Sequence, residues 1–549
     1  MLKIMGNAAV RVNDTGKQPG RVDQDGGSVG GGHARTVPDP APHTVKGFSD
    51  RLDRSIPLDM QDIERDYDKP LAQACIAAKA SVIVRVGMMD LGSGTGSFRV
   101  REMMHRVAYP MGVHVRADVN LTDIEATCTD GAGRITEVVD LPTTGVNTER
   151  IWLLEHFADW LSVNCGRPST YHRSSQVSQE LVDHLGELKA HWAVRKAEEA
   201  AAAHAAKVEK ARREGLAVQQ GVTVRQAHER LSLIERRKPL YPPLFSAFAS
   251  AVACASFVFL LGGGLYDMAG AFVGAGIGQW VRRLLTARRI NQFFVTAVAV
   301  VLAAFACVGT LRFAGFFDPV ALRHDTAYIG AILFVIPGFP LVTGGLDIAK
   351  MDFPSGVQRL TYAFSVILVA TLGGWAVARL VRLNPQGFEA LNLSPWATGG
   401  LRALAAFWGV WGFSVLFNSP QRMALVAAVI GAITDTLRLE MQDLAGMPPE
   451  MAAFLGAFLA GILATAWRSS VRRGWLPPEL GFPRICLTVP SIVIMVPGLY
   501  MYRAMFYLGQ FNTLSALDWA FRAFMVIICL PIGLATARII TDRSWRYDV

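Results

Sequence analysis

The stretch that decides the fold is NQFFVTAVAVVLAAFACVGTL, residues 291–311, which contains no charged side chain. A helix needs about 20 predominantly apolar residues to cross the hydrocarbon core of a bilayer. Nine further apolar segments of comparable length lie between residues 242 and 540. A soluble domain has no use for so many long apolar segments in succession. The sequence therefore predicts an α-helical polytopic membrane protein with about ten transmembrane helices.

Composition agrees with this interpretation. The 549 residues are 51% hydrophobic, and most of the charged side chains lie in residues 1–240. The net charge of +9 would also suit a nucleic-acid partner. Arginine clusters in membrane loops account for such a charge, so we expect a lipid bilayer as partner and no nucleic acid. We place the spans at 243–262, 265–281, 291–311, 326–343, 358–380, 401–417, 423–437, 450–466, 485–505 and 517–538.

Arginine residues in the short loops predict the orientation of the spans. Four arginines cluster at residues 282–289 and four more at residues 468–484. Both clusters fall on one side if every span crosses once, and Arg379, Arg382 and Arg402 on the opposite side weaken this signal without reversing it. Cytoplasmic loops carry the excess of positive charge. We therefore expect cytoplasmic N- and C-termini in a bacterial plasma (inner) membrane.

The N-terminal half predicts a tail followed by a small domain. Residues 1–54 are rich in glycine, proline and charge and lack a secretory signal, which predicts a disordered tail. Residues 55–179 contain alternating segments at 113–118 and 134–139 and helical spacing at 151–161, which predicts a cytoplasmic α/β domain.

A charged segment joins this domain to the membrane half. Residues 180–240 are rich in Ala, Lys, Glu and Arg and predict one long charged helix and a linker. The tract has little apolar face, so a solvated spacer is favoured over an oligomerisation element. A homo-oligomer nevertheless stays open.

A short pattern recurs in the two halves of the membrane part. Ile336-Pro337-Gly338 matches Val496-Pro497-Gly498 at an offset of 160 residues, and Met268-Ala269 matches Met423-Ala424. These matches predict a first five-helix repeat at 241–385 and a second at 386–549. Because five is odd, the second copy must enter the membrane from the opposite side. Such inverted repeats are the usual construction of secondary transporters.

Four residues at the recurring pattern are candidates for the transport path: Pro337, Gly338, Pro497 and Gly498. A proline inside a helix removes a hydrogen bond, and in lipid the freed carbonyl must be satisfied by protein or by a water-filled cavity. Interrupted helices at matching places mark the substrate sites of many transporters. The alternative is that these prolines only shape helix packing.

Charged residues in or beside the spans are further candidates, because an acidic residue at a helix centre costs about 2.5–3.5 kcal/mol on insertion scales. Asp347 follows the interrupted segment and Arg359 opens the next span. Such a carboxylate could bind an ammonium group or carry a proton, and Arg359 could take a carboxylate. Asp267 begins span two and Asp435 lies near the end of span seven. For Asp267 and Asp352 we favour an interfacial position in contact with water.

The segment MMDLGSGTG, residues 88–96, is the competing motif. It resembles the nucleotide-side loop of S-adenosylmethionine-dependent methyltransferases, with Asp118 as a ribose contact. A Gly-rich loop is weak evidence without alternating strands and helices, and too few follow here for a doubly wound sheet. No catalytic or metal-ligand spacing stands out, and the seven isolated cysteines show no metal site or disulfide framework. We expect no cofactor.

The sequence resembles the bacterial threonine/serine exporter family from about Ala72 to Ile539. The likeness is strongest in VTVRQAHERL (222–231) and in IPGFPL (336–341) with Asp347 and Arg359. It implies a cytoplasmic domain joined to ten membrane helices, and export of threonine and serine driven by the proton-motive force. Gly94 to Val100 occupies the place of a family segment, which explains the Gly-rich motif without a methyltransferase. Related two-chain members resemble dicarboxylate exporters.

The sequence therefore favours a secondary transporter over an enzyme, with a small amino acid and protons as its partners. The alternatives are a dicarboxylate exporter of the same fold, a membrane-tethered methyltransferase and a scaffold whose membrane half is only an anchor.

Overall fold

The computed structural model describes residues 58–141, 145–165, 221–383, 387–388 and 394–546. The predicted tail at 1–54 and the charged tract at 180–213 lie outside the described residues.

The N-terminal domain is built from five helices and three strands within the described residues. In chain order they are α1 (Leu58–Arg65), α2 (Ile76–Leu91), α3 (Ser97–Ala108), β1 (His114–Val119), β2 (Asp123–Thr129), β3 (Arg134–Asp140), α4 (Thr148–Asn164) and α5 (Val224–Glu235). The strands form an antiparallel sheet in the order β1-β2-β3. The predicted strands at 113–118 and 134–139 and the predicted helix at 151–161 are confirmed. The strand β2 between them was not specified from the sequence.

One face of the sheet packs against helix α2. Val115, Ile124, Ala126 and Cys128 are buried on that face, and they alternate with more exposed residues because successive side chains of a strand point to opposite sides. Almost every residue of α2 is buried. This helix is therefore the centre of the domain.

The structure shows that the methyltransferase interpretation of residues 88–96 is wrong. The Gly-rich loop follows helix α2 rather than a strand, and the described sheet contains only antiparallel pairs. A dinucleotide-type loop needs a parallel strand before it and a helix after it. The apolar segment before the loop forms a helix of 16 residues, and the domain buries this helix on all sides.

The membrane half repeats one order of elements. The first set is α6 (Pro243–Leu260), α7 (Leu265–Ala287), α8 (Gln292–Ala314), α9 (Ala327–Ile332), α10 (Gly338–Ala349) and α11 (Phe353–Val381). The second set is α12 (Pro395–Leu416), α13 (Gln421–Ala445), α14 (Pro449–Arg472), α15 (Arg484–Val493), α16 (Gly498–Leu508) and α17 (Thr513–Thr541), followed by the short α18 (Arg543–Arg546). In both sets a short 3-10 turn, Pro319–Arg323 or Pro478–Leu480, precedes the short helices.

The apolar helices make this a polytopic membrane protein. Among the described residues, six helices are long and apolar enough to cross a bilayer, and two bent helix pairs pass the same test together. The remaining predicted spans, α7 and α13, are 23 and 25 residues long but less apolar. The count of ten therefore stays a prediction. Large apolar side chains such as Leu302, Leu368 and Phe524 are exposed along these helices, as a lipid-facing surface requires.

Each bent pair breaks at the recurring Pro-Gly. The helices that flank Pro337 meet at 60°, and those that flank Pro497 meet at 46°. Pro337 has φ −81° and ψ 62°, and Pro497 has φ −80° and ψ 57°. The amide of the following glycine donates to the carbonyl before the proline at 2.8 Å in both cases. Each break is therefore an inverse γ-turn.

The two breaks pack against each other. A Cβ on Gly338 would lie 3.1 Å from Val493, and a Cβ on Gly498 would lie 2.6 Å from Leu333 and 2.7 Å from Ile336. Glycine is therefore required where the turns cross. The closed crossing lies at the centre of the membrane half.

The two interrupted segments run in opposite directions. Asp347 near the end of α10 and Arg484 at the start of α15 line one cavity beside the N-terminal domain. We call the end of the membrane half that contacts this domain the domain face, and the opposite end the far face.

Candidate functional site

The candidate site begins with a buried ion pair between consecutive helices. Asp347 on α10 is 1% exposed and Arg359 on α11 is 2% exposed. The Nε atom of Arg359 lies 3.1 Å from Oδ2 of Asp347. The sequence placed these two residues near each other, and the structure brings them into contact.

The same carboxylate also binds the N-terminus of helix α3 in the N-terminal domain. The amide of Ser97 donates to Oδ2 of Asp347 at 3.1 Å, and the amide of Phe98 donates to Oδ1 at 3.3 Å. These amides have no partner within their own helix, and they carry the positive end of its dipole. A carboxylate from the membrane half therefore caps a helix of the N-terminal domain.

Gly96 allows this close approach. A Cβ at position 96 would lie only 2.6 Å from Oδ1 of Asp347, which is far inside ordinary contact. The last glycine of the Gly-rich loop thus makes room for a protein carboxylate. This is the structural role of a motif that the sequence left open between two explanations.

Further polar contacts hold the domain against the domain face. Asp352 accepts hydrogen bonds from the Ser97 hydroxyl and from Arg101. The Thr148 amide donates to the Phe417 carbonyl at 3.0 Å. Burial alone would raise the pKa of Glu102, but the guanidinium groups around it, led by those of Arg99 and Arg538, lower it to about 2. This carboxylate is therefore ionised at the interface.

A cavity of about 70 Å³ lies between the N-terminus of α3 and the helices α10, α14, α15 and α17. It has room for several water molecules or a small polar molecule. Its wall carries Asp347 on one side and Arg484 and Arg538 among its cations. The cavity thus presents both signs of charge inside a mostly apolar membrane half.

Hydroxyl groups complete the lining of this cavity, on Thr343, Thr465 and Thr488. Each hydroxyl donates to a carbonyl one turn earlier on its own helix, at 2.8 to 3.1 Å. The donor is used in this way, but the lone pairs of the oxygen stay able to accept a hydrogen bond. The site can therefore accept a hydroxyl hydrogen from a bound molecule.

The other predicted site residues lie elsewhere. Pro337, Gly338, Pro497 and Gly498 form the closed crossing at the centre, with packed side chains rather than a cavity around them. Asp435 is 0% exposed and forms an ion pair with Arg438 at 2.7 Å. The helix that carries it, α13, continues beyond it to Ala445.

The expected water contact of Asp267 and Asp352 is wrong. Asp267 is 1% exposed and its Oδ2 lies 2.8 Å from Nδ1 of His324 on the far face. Asp352 is 9% exposed because the N-terminal domain covers it. Both carboxylates are held by protein groups from other elements, which no local pattern reveals.

The sequence interpretation missed Arg484, Arg538 and the amides of α3 as site groups. Arg484 belonged to the cluster that predicted orientation, so its charge was assigned to a loop. In the structure it opens helix α15 and lines the cavity. The one available signal was the Gly-rich segment that ends directly before Ser97.

A helical membrane half with two interrupted segments and a charged internal cavity defines a multi-pass membrane transporter. The comparisons with known proteins agree with this class. A threonine/serine exporter family model matches residues 81–170 and 206–381, and a second model described as threonine/serine exporter matches residues 402–540. The chain therefore belongs to the threonine/serine exporter family.

Curated relatives come from yeasts and bacteria. The pheromone-regulated membrane protein 10 of Pichia sorbitophila is 25% identical over 285 residues, which are 49% of this chain and 27% of that protein. YjjP of Klebsiella aerogenes, named a probable succinate transporter subunit, is 26% identical over 137 residues, which are 25% of this chain and 52% of that protein. The chain thus matches between about a quarter and a half of the length of these relatives. No solved structure matches it.

Proposed function

We propose that this protein exports small hydroxy amino acids, threonine and serine, across the plasma membrane by proton antiport with alternating access. The observation that carries the proposal is the cavity beside Asp347, where a carboxylate, guanidinium groups and free hydroxyl acceptors surround one small volume. A hydroxy amino acid carries the complementary ammonium, carboxylate and hydroxyl groups. Family membership supports the same substrate class.

Each polar group of the cavity has a role in this proposal. Arg484 and Arg538 bind the substrate carboxylate, since guanidinium groups form strong charge-assisted hydrogen bonds with carboxylates. Asp347 binds the ammonium group. In the described state its oxygens are taken by Arg359 and by the amides of α3, so the substrate must displace those amides. We infer that the docked domain represents a state closed on the cytoplasmic side.

Alternating access follows from two inverted five-helix repeats. The matching order of elements, the two γ-turns with the same dihedral angles and the opposite course of the interrupted segments support this arrangement. The closed crossing between the turns is the barrier to the substrate. Rocking of one repeat against the other shifts this barrier, so that the site opens to each side in turn. The domain face is the cytoplasmic side, as the arginine clusters predict.

The decisive test is efflux from cells loaded with a threonine-containing or serine-containing dipeptide. Cells that express the chain should release the amino acid at least several-fold faster than cells without it, and a protonophore should abolish the difference. Equal release in the two strains would refute the substrate assignment.

A dicarboxylate exporter is the second candidate. Three guanidinium groups, those of Arg99, Arg484 and Arg538, line the cavity against the one carboxylate of Asp347. These guanidinium groups also pair with Glu102, Glu155 and Asp542 outside the cavity. As the cations of the lining they would suit a substrate with two carboxylates, and the name of the Klebsiella aerogenes relative refers to succinate. Efflux of succinate from the same cells separates the candidates. Release of succinate but not of threonine would establish the second.

A further inference from the structure

The far face carries a buried histidine–carboxylate pair that the substrate cavity does not use. His324 is 8% exposed and Asp267 is 1% exposed, and Nδ1 of the first lies 2.8 Å from Oδ2 of the second. The amide of Gly264 also donates to this oxygen at 2.9 Å. His324 lines a cavity of about 220 Å³, whereas Asp267 is not among the residues of its wall. The pair is thus a titratable group that reaches the far face through a cavity.

The cavity belongs to the opposite end of the same helices that form the domain face. It is lined by the end of α8, the start of α9 and the segment after α11. Other titratable or charged side chains face the pair or its cavity from the packed elements: Tyr266 of α7, Cys307 and Arg312 of α8, Asp318 and Asp325 of the α8–α9 connection, Tyr328 of α9 and Arg382 after α11. Among these side chains two arginines stand beside two aspartates.

The second half of the membrane part places a different pair at the matching positions. Met268-Ala269 and Met423-Ala424 lie 155 residues apart, which sets Arg422 opposite Asp267. The 3-10 turn Pro478–Leu480, which contains Glu479, corresponds to the turn Pro319–Arg323 directly before His324. Arg422 and Glu479 form an ion pair at 2.9 Å, and their side chains are 71% and 54% exposed. That pair is open to solvent rather than buried. The two halves therefore differ where one has a buried histidine.

Histidine is the side chain that changes charge most readily between pH 5 and 8. We propose that His324 and Asp267 form the site at which the transporter takes up its coupling proton from the far side. The proton from the cavity binds the imidazole, and the resulting imidazolium forms an ion pair with the Asp267 carboxylate. This pair ties the start of α7 to the connection before α9. The proposal rests on the proposed function and deepens it by naming the coupling-ion site.

The test uses the purified full-length chain in liposomes with labelled threonine, serine and succinate. Two activities are compared: transport driven by an imposed pH gradient, and exchange of labelled for unlabelled substrate at equal pH on both sides. A coupling-proton site is needed for the first activity and not for the second. His324→Gln keeps a neutral side chain of similar size that can hydrogen-bond Asp267. We expect this variant to lose gradient-driven transport by at least about tenfold and to keep exchange within about twofold of the wild type.

Glu479→Gln is the matched control, because Glu479 belongs to the corresponding pair in the second half of the membrane part. This variant should keep both activities. Gradient-driven transport in His324→Gln at the wild-type level would overturn the proposal. Loss of both activities in that variant would also overturn it, since the pair would then serve transport or folding in general. If the wild type exchanges only succinate, the substrate assignment fails but the comparison is made with succinate. If it exchanges none of the three, the proposed function fails and the coupling site fails with it.

Discussion

The variant Gly96→Ala tests whether glycine is required at position 96 for the Asp347 carboxylate to reach the N-terminus of helix α3. The new Cβ would lie 2.6 Å from Oδ1 of Asp347, whereas ordinary contact begins near about 3.4 Å, so the groups must separate by about 0.8 Å. The carboxylate is held by Arg359 and is 1% exposed, so helix α3 must move instead. A shift of this size breaks the hydrogen bond from the Phe98 amide, now 3.3 Å long, and weakens the one from Ser97.

The magnitude follows from these two contacts. A hydrogen bond to a charged group contributes about 1.5–3 kcal/mol, so docking of the domain should weaken by about 3 kcal/mol. Cys486 reports on docking, because its thiol is 0% exposed beneath the carbonyl oxygen of Thr148. If the Cys486 thiol reacts only when the N-terminal domain is undocked, weakening the docking free energy by about 3 kcal/mol should increase the alkylation rate of Cys486 about 100-fold. The assay is peptide mass spectrometry of the full chain in detergent.

Three comparisons make the result interpretable. Gly131→Ala adds a methyl group in the same domain with nothing within 4 Å of it, and should leave the rate within about twofold. Labelling of Cys254, buried in the membrane half, should not change, which excludes general unfolding. In an Asp347→Ala background the added methyl group has no carboxylate to meet, so Gly96→Ala should add less than about threefold. A wild-type rate in the single variant, or independent effects in the double variant, would refute this role of Gly96.

Three further perturbations test the site and the domain. Asp347→Asn should lower efflux at least about tenfold when the variant reaches the membrane at the same protein level as the wild type. Asp518→Asn, at an exposed position, is the control and should leave efflux within about twofold. Wild-type efflux in Asp347→Asn would remove Asp347 from the mechanism. Arg538→Gln should raise the substrate KM several-fold more than it lowers the maximal rate, because it removes a contact with the substrate carboxylate. Burial raises the pKa of Asp90 to about 6 from 3.8, so the folded domain holds this proton more tightly than the unfolded chain. The free energy of unfolding should therefore fall by about 2 kcal/mol between pH 4 and pH 6. Thermal unfolding of Asp90→Asn against the wild type checks this, and a constant difference across that range would contradict it.

The repeat illustrates how far local patterns reach. Pro337 and Pro497 are visible in the sequence as breaks, because a proline in an apolar run has a known local effect. That both breaks adopt the same γ-turn and then pack against each other depends on how two segments 160 residues apart are placed. The sequence interpretation therefore found the interruptions, whereas the packing of one interruption against the other is seen only in the structure.

The sequence by itself determined the membrane character of the chain, the places of the helices and the nearness of Asp347 to Arg359 along the chain. Each of these follows from the length and polarity of one segment or from neighbours along the chain, because insertion in a bilayer is decided segment by segment. Only the tertiary structure decided that Asp347 caps the helix that begins at Ser97, that Arg484 lines a cavity and that His324 holds Asp267. Ser97 and Asp347 are 250 residues apart. The partner of a buried charge depends on which helices pack together, and that information lies in no single segment.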